Sequence, residues 1–141
     1  MKNTILTKVA AVLALAIGAM ALFAGGKVLV GIDPGYTVIN WLPVYNFSVG
    51  LVTVLVTTVL LWQNHRLAPA AAISTLAFHV SVMLVRQTIY QGLVAAESVQ
   101  AMTLRMLVWS VILILLFLQA RMGKTARSSG APKTNRAQEK A

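Results

Sequence analysis

The sequence predicts an all-α membrane protein: a four-transmembrane-helix antiparallel bundle with an interfacial outer loop and a disordered basic C-terminal tail. Three observations carry that reading. Charged residues make up only 11% of the chain and hydrophobic ones 58%. A soluble domain carries roughly 25% charged residues, so this chain has too few to cover a water-facing surface. Four apolar runs approach or exceed the about 20 residues that cross a hydrocarbon core. The basic residues gather at alternate ends of those runs, as the positive-inside rule requires.

The expected spans are about residues 5–25, 44–63, 67–87 and 99–120, within a transmembrane domain of residues 1–122. In the first, Ala11, Ala14, Gly18, Ala21 and Gly25 recur at spacings of three and four. They share one helical face, and small residues so placed let helices approach closely. The same segment has features of a cleaved secretory signal, with two lysines before an alanine-rich core. Its length favours a retained helix.

Residues 27–45 read as the outer loop. Asp33-Pro34-Gly35 is a turn signal. Tyr36, Trp41 and Tyr45 suit the headgroup level, where ring and polar tip are both satisfied. The second span sets Asn46, Gly50, Thr53, Thr57 and Asn64 within a narrow arc, a polar stripe turned inward. His65 and Arg66 follow in a short inner turn, and Pro69 opens the third span. There Ala68, Ala72, Thr75, His79 and Arg86 share a face. In the fourth, Ser98, Arg105, Ile112 and Gln119 repeat at sevens. Trp109, four residues beyond Arg105, is placed to take its guanidinium on the ring face. Residues 123–141 are Ser-, Lys- and Arg-rich without apolar pattern, the composition of a disordered tail.

With both ends inside, nine basic residues lie on the inner side and only Lys27 and Arg86 on the outer, Arg105 being within the membrane. The expected location is the plasma (inner) membrane of a bacterium, with both ends cytoplasmic.

Ionisable residues inside a membrane mark functional sites by default. The candidate cluster is His79, Arg86, Glu97 and Arg105, with Asn46 and Asp33 facing the same outer layer. It serves either as a ligand pocket or as a structural staple in which Glu97 pairs with Arg86 or Arg105. No catalytic set is read. The chain has no cysteine, which excludes disulfides, thiolate chemistry and Cys-ligated metals. One His with one Glu makes no convincing metal shell. No Asp or Glu lies in a span core, as a proton-coupled exporter needs. The net charge of +9 sits mostly in the tail and reflects topology, not nucleic-acid binding.

The leading function is therefore a non-catalytic accessory subunit, or a ligand- or lipid-binding module with a polar pocket in the outer half. Its expected partners are the lipid bilayer and a membrane protein or further copies of itself. The alternatives are a small oligomeric transporter or channel for an anionic solute and a redox component holding quinone or haem. No cofactor is required by the first reading.

Overall fold

A run of buried small residues sets how the first two helices meet. The computed structural model describes residues 4–92 and 95–129. Among them all regular structure is helical, and four helices are long and apolar enough to cross a membrane. These are α1 (Ile5–Leu29), α2 (Leu42–Trp62), α3 (Ala68–Ile89) and α4 (Ala96–Ser129).

All five small residues of the α1 stripe are buried, together with Thr7, Ala10 and Ile17. Gly25 lies so close to α2 that a Cβ there would sit 2.6 Å from the Pro43 carbonyl oxygen and the Phe47 amide nitrogen. On Gly50 it would sit 2.5 Å from the Leu22 amide nitrogen. Gly18 faces the Thr53 side chain. This backbone contact carries α1 through Gly25 and Gly26 to Leu29, several residues beyond the expected end. Packing here overrides the poor helix propensity of glycine.

α2 begins earlier than expected because Pro43 stands in its first turn, where a missing N–H costs nothing. Tyr45 therefore belongs to this helix and not to the loop. Residues Thr53–Thr57 form a π-helical turn, in which the Thr58 N–H donates to the Thr53 carbonyl. Gly50, Thr53 and Thr57 are buried and Asn46 is half-buried, as the stripe predicts. Asn64 departs from it: α2 stops at Trp62, and Asn64 adopts φ +50° in the following turn, a conformation asparagine tolerates better than most residues.

In α3 the whole predicted stripe, Ala68, Ala72, Thr75, His79 and Arg86, is buried, and Met83 joins it. In α4, Met102, Arg105, Trp109, Ile112 and Leu116 are buried at alternating spacings of three and four, so they form one face. Ser98 and Gln119 are half-buried at its margins. The helix runs on to Ser129, past residue 123, where a disordered tail was expected. Gly123 is the one weak helix former there, and no proline intervenes before Pro132. The rest of the tail, residues 130–141, lies outside the described residues.

The apolar core joins Ala10, Ala11 and Ala14 of α1, Leu61 of α2, Ala68 and Ala72 of α3, and Trp109, Ile112 and Leu116 of α4. Outward faces are aliphatic and aromatic, with Phe23 70% and Phe78 61% exposed. So much exposed hydrocarbon on every helix matches a lipid surrounding.

Candidate polar layer between the helices

One end of the bundle carries the loop from Val30 to Trp41 and the turn between α3 and α4. Near it, polar side chains from α2, α3 and α4 converge. Arg105 is 8% exposed and Arg86 2% exposed. Each lies on the inward face because its register matches the small and apolar residues that form that face: Met102 and Trp109 beside Arg105, Met83 and His79 beside Arg86.

The Arg105 Nη1 donates to the Asn46 Oδ1 at 2.6 Å. Asn46 is in place because Gly50, one turn on, brings α2 against α1 and aims the same stripe inward. The Arg86 Nη1 donates to the Ser98 backbone carbonyl at 3.2 Å, tying the last turn of α3 to the start of α4. The Arg86 Nε and Nη2 are buried without a hydrogen-bond partner among the described residues.

His79 is 2% exposed. Its Nδ1 lies 2.9 Å from the Thr75 carbonyl and 3.4 Å from the Tyr45 hydroxyl. A carbonyl only accepts, so the neutral ring carries its proton on Nδ1, and Nε2 holds the lone pair. Around it the aromatic rings form a line. Tyr90 and Trp41 have centroids 6.3 Å apart, Trp41 and Tyr45 6.2 Å, Tyr45 and His79 6.0 Å, and His79 and Trp109 6.5 Å. The Trp41 Nε1 donates to the Tyr90 hydroxyl at 3.3 Å. The Trp109 Nε1 is buried without a partner among the described residues.

Of the six residues the sequence singles out, His79, Arg105 and Asn46 come together, and Arg86 stands at the rim. The two carboxylates do not join them. The Asp33 Oδ1 accepts from the Gly35 N–H at 2.8 Å and closes a solvent-side turn. Glu97 is exposed in the first turn of α4, where a negative charge suits the helix dipole. No described carboxylate pairs with either arginine, so neither Glu97 staple is formed. The expected stacking of Arg105 on Trp109 also gives way: the Trp109 ring faces His79, while the cation–ring contacts are Lys8 with Trp62, Lys27 with Phe23, and Arg121 with Phe117. Among the described residues no three of His, Asp and Glu gather as metal ligands.

Tyr45, Trp41 and Tyr90 enter the layer without having been singled out for it. Pro43 was the available signal: a proline at a helix start puts Tyr45 one turn inside the helix, next to Asn46.

Compared with known proteins, the chain matches no family model, and no significant similarity is found among characterised proteins or solved structures.

The chemistry of the layer follows from its donors. It offers a buried cation held by a neutral amide, a second cation only partly bonded, an indole N–H and an imidazole lone pair. A buried charge is costly unless paired. Here the pairing groups are carbonyl dipoles, which leave net positive charge in place.

Proposed function

We propose that this chain is a non-catalytic membrane module that binds an anionic or strongly polar group in the outer half of an antiparallel bundle. Both ends face the cytoplasm, in a plasma membrane of bacterial type. The orientation rests on the nine-to-two distribution of basic residues. The single observation that supports binding is the pair of buried arginines with no carboxylate partner among the described residues. A purely structural cluster at this depth gains from neutralising its charges with Glu97 or Asp33. Instead both acids are exposed away from the layer, and its buried positive charge favours a negative group from outside the fold. The small-residue stripe on α1 is already buried within the fold, Gly18 and Gly25 against α2 and Ala11 and Ala14 in the apolar core, so a protein partner would meet the outer aliphatic faces of the bundle.

The test is purification in mild detergent followed by native mass spectrometry. Wild-type protein is expected to carry a stoichiometric small ligand or protein partner, and Arg86→Gln or Arg105→Gln to lose it. A bare monomer in every sample defeats the reading.

A further inference from the structure

We infer that the cavity between the last turn of α3 and the start of α4 seats the phosphate of an anionic phospholipid, held by the Nε and Nη2 edge of Arg86. This deepens the binding reading above and rests on it.

The cavity measures about 420 Å³, within the roughly 300–1,000 Å³ range of small-molecule sites. Arg86 lines it, beside the apolar Met83 and Val99 and the polar Gln87, Tyr90 and Gln91. Arg86 is 98% buried by its 2% exposure, yet only Nη1 is bonded, to the Ser98 carbonyl. Nε and Nη2 have no partner among the described residues. Those two nitrogens form the side-on edge of the guanidinium, whose parallel N–H bonds match two oxygens of one phosphate or carboxylate. The Ser98 bond anchors Nη1, and the Nε and Nη2 edge is buried, so a ligand reaches it by displacing the side chains that cover it.

Charge and depth choose the ligand. One guanidinium balances one net negative charge, which a phosphatidylglycerol headgroup bears and a zwitterionic phosphatidylcholine headgroup does not. The site lies at the end of a span, the level of lipid headgroups. Met83 and Val99 offer nothing to a free, fully hydrated phosphate ion, whereas apolar lining suits the glycerol and acyl chains of a lipid. The glutamine amides suit glycerol hydroxyls and ester carbonyls. A competing partner is internal: Glu97, in the adjoining turn, points to solvent here.

The experiment is native mass spectrometry of delipidated full-length protein, titrated with phosphatidylglycerol, with phosphatidylcholine of identical chains, and with sodium phosphate. One phosphatidylglycerol is expected to bind about tenfold or more tightly than phosphatidylcholine, with Arg86→Gln weakening it by about tenfold or more. Val99→Trp, which fills the cavity and leaves Arg86 intact, is expected to do the same, so a failure of Arg86→Gln to fold does not shelter the idea. Unaltered phosphatidylglycerol binding by both variants overturns it. Displacement of the lipid by an equal concentration of phosphate overturns the lipid assignment. A Glu97→Gln change that destabilises the lipid-free protein, with losses non-additive with Arg86→Gln, overturns it in favour of the internal pair. If Arg105→Gln releases the lipid and Arg86→Gln does not, the ligand belongs to the deeper layer; this inference then fails while the broader binding reading survives. If no lipid, ion or partner binds the wild-type protein, both fail.

Discussion

The α1–α2 and α3–α4 contacts are built from opposite materials. The first is an interface of missing side chains: Gly18, Gly25 and Gly50 let two backbones touch, and the attraction is dispersion between close-packed atoms. The second, where α3 and α4 also meet α2 through Asn46 and Tyr45, holds the most polar side chains of the fold, Arg86, His79 and Arg105, beneath aliphatic and aromatic outer faces. In water, burial of apolar surface drives both kinds of packing. In hydrocarbon that drive is absent, so the fold relies on close approach in one place and on hydrogen bonds to carbonyls in the other. The first interface needs nothing from outside. The second carries unspent donors, which is why the candidate ligand site falls there.

Breaking the glycine contact is expected to have the largest effect. Gly50→Leu drives a side chain into the α1 backbone at Leu22 and should cost about 3 kcal/mol or more, read as loss of the folded state in an SDS-unfolding titration. Asn46→Ala comes next. It leaves Arg105 buried with its bond to Asn46 removed, a loss of about 3 kcal/mol. The double change Asn46→Leu with Arg105→Met should recover most of this, because it removes both polar partners together. Additive losses across the cycle of Asn46→Leu, Arg105→Met and the double change would mean the two residues are not coupled. Gly18→Ala sharpens the comparison from the other side. Its new methyl meets side-chain atoms of Thr53 and Val54, which can yield, so about 1 kcal/mol is expected. A loss equal to that of Gly50→Leu would show the whole interface to be rigid. Tyr45→Phe should be smallest, about 0.5 kcal/mol, since its 3.4 Å contact with His79 is long and His79 keeps the Thr75 carbonyl.

Much of the fold was legible because membrane helices are written in two simple patterns, apolar length and small-residue period. Every member of the α1 and α3 stripes is buried. Helix ends were less legible. Gly25 and Gly26 look like a stop, and only the contact with Pro43 and Phe47, remote in sequence, carries the helix past them. Within the candidate layer, facing direction was legible and partnership was not. Arg105 and Asn46 were each placed inward, but charge arithmetic directs an arginine toward an acid, and the acids were Glu97 and Asp33. Asp33 satisfies its own turn first, a local competition that short polar side chains often win. For Arg86, the backbone carbonyl of Ser98 has no letter of its own in a sequence.

The π turn at Thr53–Thr57 has a consequence for descent. Such a turn holds one residue more than an α-helix needs between the same two flanks. In α2 it separates Gly50, set against α1, from Leu61 in the apolar core. An ancestor with a regular helix could gain a residue here and keep both flanks facing inward. A relative lacking the turn would align with a one-residue gap between positions 53 and 57, with no change in the pattern on either side. An insertion anywhere else in α2 would rotate one half by about 100° and turn Asn46 or Leu61 toward lipid.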